Sequence, residues 1–348
     1  MTDSTLITPQ SVGSVMRQLL LALIPGVLAY VYFFGYGVLF NMLLASVVAV
    51  TSEALILWWR RKPVGFFLRD YSAIVTAVLL ALCLPSLAPW WLVTIATLFA
   101  IIVGKHLYGG LGQNLFNPAM IGYVVVMISF PQVMTTQWFN ASQQSKPGLI
   151  DTIIHQTTPH KPKQNPGKPG AHSKIDSITS ATPLDKVKSE LERGKTLSEI
   201  RHPQLFGLLG SSGWEWVNFF FLLGGLWLLY RKLIGWQIPV AMLGTMFLMA
   251  GLFYVYDSDN YLPPLFQLFS GGAMLGAFFI ATDPVTCAAT HRGRLYFGIG
   301  VGLFTYIIRT WGGYPDGIAF AVLLMNMATP TLDYYTQSDA FGHKTRKP

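Results

Sequence analysis

Apolar runs separated by short polar turns fill most of this chain, and one long polar stretch interrupts them. A helix that spans a bilayer needs roughly 20 mostly apolar residues. Runs near that length lie at 18–36, 38–59, 72–86, 90–105, 117–131, 214–230, 235–256, 264–282, 294–312 and 316–332. The third and fifth runs are short, and prolines bound them (Pro85 and Pro89; Pro118 and Pro131), which predicts broken or tilted helices there. The pattern predicts an all-α polytopic membrane protein with about ten transmembrane helices. Its parts are a first membrane half over 1–131, a long outer loop over 132–213 and a second membrane half over 214–348.

Composition agrees. The chain is 52% hydrophobic and 11% charged, with mean hydropathy +0.45, whereas soluble domains carry about 25% charged residues. The formal net charge of +8 is a topology signal in such a chain rather than a nucleic-acid footprint. Arg60, Arg61, Lys62 and Arg69 follow the second run, and Lys105 ends the fourth. Arg231 and Lys232, then Arg292 and Arg294, mark the same side later, as do Lys344, Arg346 and Lys347. The alternate turns Phe34–Gly37, Ser86–Pro89, Asp257–Pro263 and Gly312–Gly317 carry no Lys or Arg. Cytoplasmic loops hold the excess of positive charge, so both termini are expected in the cytoplasm and loop 132–213 on the outer, periplasmic face. The loop has basic residues of its own, but long loops cross largely regardless of charge. Arg309 lies outside the pattern and is expected to snorkel or to pair with Asp316. Residues 1–15 are polar and the first run lacks a small-x-small cleavage site, so that run is expected to stay as a membrane helix.

The polar loop holds the chemistry. Its stretch Ser145–Lys174 is rich in Lys, Pro, Gly, Gln and His and reads as mobile, with His155, His160 and His172 solvated. From Thr182 to Arg201, Leu184, Val187, Leu191 and Leu197 recur at near-helical spacing. Thr182 then reads as the N-cap, Pro183 as the first helical residue and Asp185 as the third. A hydroxyl at a helix N-terminus is also well placed to carry a phosphate, because free N–H groups and the helix dipole stabilise its charge. Lys174, Lys186 and Lys188 are either solvated or phosphate partners.

In the apolar runs, Cys83 and Cys287 read as small buried hydrophobes. Glu53, Asp70 and Asp283 are candidates for an ion or proton site, since carboxylates in a membrane are costly. Asp70 and Asp283 lie near the surface, where pairing with Arg69 and Arg292 or capping of a helix end also accounts for them. Gly109-Gly-Leu-Gly112 lacks the third glycine and the preceding strand of a dinucleotide fingerprint; a kinked segment ending at Asn117-Pro118 suits it better. Asn117-Pro-Ala-Met120 and Asn326-Met-Ala-Thr-Pro330, with Leu84-Pro85 and Asp283-Pro284, suggest a 5+5 inverted repeat with a site near the midplane.

Asp176-Ser-Ile-Thr-Ser-Ala-Thr182 resembles the motif read by bacterial flavin transferases, in which the last Thr receives FMN through a phosphoester. Ser177 stands where that motif commonly has Gly. The segments Lys105–Tyr123, Ala281-Thr-Asp-Pro-Val-Thr286 with His291-Arg-Gly-Arg294, and Gly312–Leu324 resemble signatures of the family of D subunits of Rnf electron-transport complexes. The B subunits of sodium-translocating NADH:quinone reductases are a more distant likeness. The resemblance implies covalent FMN on Thr182, with Asp176, Thr179, Ser180, Ala181, Pro183 and Asp185 as its motif. It implies a place in the bacterial inner membrane, in a complex that couples electron transfer between ferredoxin and NAD to Na+ or H+ movement. The A, B, C, E and G subunits of the Rnf complex and a flavin transferase are the implied partners, and a second, non-covalent flavin among the helices is a further candidate. A solute channel or transporter without flavin, or a scaffold for redox partners, is the alternative.

Overall fold

The computed structural model describes residues 11–139, 148–158, 179–203, 205–314 and 316–337. Asp176, Lys174, His160 and His172 lie outside the described residues. The first membrane part contains α1 (Val12–Phe34), α2 (Gly37–Trp59), the short α3 (Val64–Leu68), α4 (Ser72–Cys83), α5 (Trp90–Leu98) and α6 (Pro118–Ser129). The last turns of the α5 rod, Phe99–His106, widen to a π-helix. The loop contributes α7 (Pro131–Thr136), β1 (Trp138–Phe139), α8 (Leu149–Thr157), β2 (Thr179–Ser180), α9 (Pro183–Glu192) and α10 (Leu197–Ile200). The second membrane part contains α11 (Trp214–Tyr230), α12 (Gln237–Tyr256), α13 (Pro264–Leu268), α14 (Ala273–Leu275), α15 (His291–Trp311) and α16 (Ile318–Thr336). Three of these, α1, α2 and α12, are long and apolar enough to cross a membrane by length and composition alone.

The expected short third and fifth helices are present as Ser72–Cys83 and Pro118–Ser129. The run at 264–282, read from sequence as one span, is broken. Helix α13 stops at Leu268, Gly271 takes a left-handed φ of 61°, and the chain resumes as α14 and a π-turn at Gly276–Ile280. Backbone groups freed in an apolar setting must find partners, and side chains supply them. Asn218 donates to Gly271 O (2.8 Å) and accepts from Met274 N (3.1 Å). Arg309 donates to Gln267 O (2.6 Å) and Ser270 O (3.3 Å), and Asp316 accepts from Gly272 N (3.0 Å). Arg309 and Asp316 also pair with each other at 3.1 Å, as expected from the sequence.

In each part the second long helix packs on the fourth and the fourth on the fifth. The two parts join along α1 and α11. A Cβ on Gly26 would lie 2.2 Å from the Phe221 ring, and one on Gly224 would lie 2.1 Å from Ala22 O, so these glycines set the helix separation. The Gly224→Val variant is therefore expected to lose about 1–3 kcal/mol by overpacking. Thermal unfolding of the purified protein in detergent reads this as a lowered midpoint; a midpoint equal to the parent's would contradict the close approach.

Candidate functional site

Thr182 caps α9 as the sequence predicts. Its backbone is extended, its hydroxyl accepts from Asp185 N at 3.2 Å, and Pro183 opens the helix. The strand just before it, β2, pairs antiparallel with β1, matching Trp138 to Ser180 and Phe139 to Thr179. Strand β1 is held in turn, because Phe139 N donates to Ser86 Oγ (3.1 Å) and Leu87 N to Gln137 O (3.1 Å). Thr182 thus sits two residues beyond a ladder fixed to the α4–α5 turn. Inward, Leu184 and Val187 join Leu197, Ile200, Leu262 and Phe266 in a small core of their own, which holds α9 against the second membrane part. The helix expected to run from Thr182 to Arg201 is two helices. Gly194, at φ 81°, ends the first, and Thr196 with Glu199 forms a capping box for the second.

Lys188 does not face solvent or the Thr182 hydroxyl. Its ammonium donates to the carbonyls of Gly312, Ile308 (3.3 Å) and Tyr314 (3.1 Å), at the carboxyl end of α15, where helix polarity favours a cation. Burial pushes its pKa down, against the pull of Glu192 and Asp185. Burial also pushes the Asp185 carboxyl up, with the Lys188 charge opposing. Lys186 stays half-buried on the outer side of α9.

Thr182, Leu184 and Asp185 line a cavity that extends between the two membrane parts. Its walls include Tyr30, Tyr123, Trp138, Trp214 and Phe221. Trp214 sits at the centre of an aromatic cluster, 5.6 Å from Tyr30 and 5.5 Å from Trp138 between ring centroids. The mostly apolar wall with few polar groups is the usual character of small-molecule and cofactor pockets. Asp316 also lines it, paired with Arg309. Cys83, read as a plain hydrophobe, is on the wall as well.

A second cavity is lined by Ser72, Lys105, Asn114, Asn117, Thr282 and Asp283. Residues 117–120 and Ile280 separate the two. Asn117 is the knot. It caps α6 by accepting from Met120 N (3.3 Å) and donates to Ile280 O (3.3 Å), and its N–H donates to Asn326 (3.1 Å). Asn326 donates onward to Thr286 O at 3.0 Å. The proline-containing motifs singled out in the two halves therefore meet.

The three membrane carboxylates are not brought together. Glu53 is buried and pairs with Lys105 at 2.6 Å; Lys105 also donates to Ser72 Oγ at 2.7 Å. His106 stands 3.6 Å from the same carboxylate oxygen. Asp70 caps α4 by accepting from Ser72 N (2.8 Å), and Asp283 accepts from Val285 N (3.3 Å) and Thr286 Oγ (3.0 Å). Among the described residues neither pairs with Arg69 or Arg292; helix-end and turn bonds account for both. Lys105 and His106 escaped the sequence reading because they end an apolar run and look like flanking charges. Their one signal was position: the π-turns rotate both inward. Removing one partner of a buried ion pair costs about 3–5 kcal/mol, so Glu53→Ala is expected to unfold at a markedly lower temperature. Adding Lys105→Met to Glu53→Ala should recover much of that loss; equal instability of the double variant would show that the pair is not coupled.

The fold and site define a polytopic helical membrane protein with a capped loop threonine over an aromatic cavity between its two parts. The chain belongs to the NQR2, RnfD, RnfE family, whose model matches residues 2–342. It is 49% identical over 350 residues to the D subunit of the ion-translocating oxidoreductase complex of Aliivibrio salmonicida (strain LFI1238), covering 96% of this chain and 95% of the relative. The corresponding protein of Pseudomonas aeruginosa (strain UCBPP-PA14) is 51% identical over 333 residues, covering 95% and 92%. That of Pectobacterium carotovorum subsp. carotovorum (strain PC1) is 50% identical over 337 residues, covering 96% of each.

Proposed function

We propose that this chain is the electron carrier of an ion-translocating oxidoreductase complex, with FMN held as a phosphoester on Thr182. The observation that carries the reading is the place of that hydroxyl: at the N-terminus of α9 and on the wall of an aromatic cavity. First-turn N–H groups and the helix dipole stabilise a phosphodiester there. Trp138, Tyr30 and Trp214 offer π-faces and edges for a planar ring. The bound flavin would supply one- and two-electron chemistry; the protein supplies position, charge and exclusion of water. The near-full-length likeness to D subunits of ion-translocating oxidoreductase complexes supports the same assignment.

In this proposal the electrons pass between ferredoxin and NAD through the A, B, C, E and G subunits, and their passage drives Na+ or H+ across the inner membrane. A flavin transferase loads Thr182 from the periplasmic side, both termini lie in the cytoplasm, and about ten spans form two inverted halves. The repeated helix pairing in the two parts supports that division at 131 and 214. The second cavity is proposed for a non-covalent flavin. Asn114, Asn117 and Asp283 offer donors and acceptors suited to a ring edge, and Lys105 offers a cation.

In the mature complex, the band of this chain on a denaturing gel should fluoresce as flavin. Both Thr182→Ala and Thr182→Asp should abolish that signal. The alanine loses about 1 kcal/mol of helix cap, whereas the aspartate keeps the cap but offers no hydroxyl. Fluorescence persisting in Thr182→Asp would move the attachment elsewhere, and a dark wild-type band from the native host would favour a channel or a scaffold. A second expectation concerns Thr182→Ala alone. Acid denaturation of that variant should still release flavin into solution, and Asn114→Ala should reduce it. Release of none would remove the non-covalent site.

A further inference from the structure

Helix α8 lies in the part of the loop read from sequence as mobile, yet Leu149–Thr157 is a regular helix with His155 buried rather than solvated. Its faces are reversed for a loop in water. The side turned to the protein is polar: Thr152, His155 and Gln156 are buried. Gln156 donates to Asn41 Oδ1 (3.0 Å) and Ser86 O (3.1 Å) and approaches Gly37 O (3.4 Å), which fixes α8 to the end of the bundle that also carries β1. The side turned away carries the large apolar residues, Ile150 at 71% exposed and Ile154 at 46%, with Asp151 and Thr157 exposed at its margins.

What covers that face is indicated by its surroundings. Tyr32, Tyr36 and Trp90 are exposed at the same end of α1, α2 and α5, as aromatic side chains are at a membrane–water boundary. Beyond them α2, on which α8 packs, exposes Leu39 and Leu43 along its length. The exposed isoleucines of α8 lie at the same end as these aromatic side chains. A short helix with one apolar face is suited to lie in the plane of the interface. Polar contacts on its other face are an acceptable bond to a membrane-embedded bundle, because the Gln156 amide finds carbonyl and amide partners there.

We propose that α8 is an interfacial helix, with Ile150 and Ile154 seated in the acyl chains of the leaflet on the Thr182 side. It ties the loop that bears Thr182 to the membrane surface as well as to the bundle. The test uses the assembled complex in lipid nanodiscs, with a nitroxide on Ile150→Cys or, in a second variant, Ile154→Cys. Arg193→Cys, on the exposed side of α9, is the water-facing reference. Oxygen, which concentrates in lipid, is expected to relax both α8 labels more than a water-soluble nickel chelate does, with the order inverted at Arg193→Cys. Chelate access at the α8 positions equal to that at Arg193→Cys would put the face in water and overturn the proposal. Labels shielded from both reagents would mean a protein surface covers it, which overturns the proposal equally.

Discussion

The architecture depends on one constraint: backbone that leaves regular helix inside an apolar bundle must have every freed N–H and C=O satisfied. The break between α13 and α14 meets it with three side chains from other helices and turns, Asn218, Arg309 and Asp316. The Asn117–Asn326 knot meets it where α6 begins. The knot is also a place where the two parts come within hydrogen-bonding reach. Broken helices make short, wide turns and so leave room; the two large cavities lie against them. Packing elsewhere is close because glycines permit it, at Gly26 and Gly224 between α1 and α11, and at Gly122 against Ala96 O.

The same constraint explains why charge is allowed inside. Arg309 is almost fully buried, yet it has the Asp316 carboxylate and two carbonyls as partners. Its charge is used to cap a broken helix. Asp316 is thereby held on the cavity wall with its own oxygens engaged by Arg309, Gly272 N and Ile318 N. Gly271 must be glycine for a second reason beyond its φ: a Cβ there would come within 2.6 Å of the Asp316 carboxylate. The carboxylate, the left-handed turn and the arginine form one unit beside the aromatic cavity.

What was legible in the sequence follows the range of the interactions. Apolar run lengths located the helices, and the N-cap at Thr182 was readable because Thr, Pro and Asp at neighbouring helix positions act locally. The Arg309–Asp316 pair lay within seven residues and was readable too. Long-range partners were not. Lys188 looked like a solvated charge because nothing near it in sequence says that the carboxyl end of α15 lies above it. Glu53 looked like a lone membrane carboxylate because Lys105 is 52 residues away. The reversed faces of α8 were hidden for the opposite reason: its three isoleucines are diluted by polar neighbours, and the composition of the surrounding stretch outweighed its helical period.

Polar contacts also determine how the loop meets the bundle. On one side of Thr182, β2 is laddered to β1, and β1 is bonded to the α4–α5 turn of the first part. On the other side, α9 is anchored to the second part through Lys188 and the small core around Val187. Thr182 is the short link between these two attachments. A group attached there is positioned relative to both membrane parts at once, and a change in their separation would be felt first at that link. For a protein proposed to pass electrons while ions cross, a carrier fixed at the junction of the two parts is a physical means by which oxidation state and helix arrangement can influence one another. The cost of any such shift falls on bonds that are few and identifiable, since the ladder is two residues long and the ammonium of Lys188 has carbonyl partners on a single helix end.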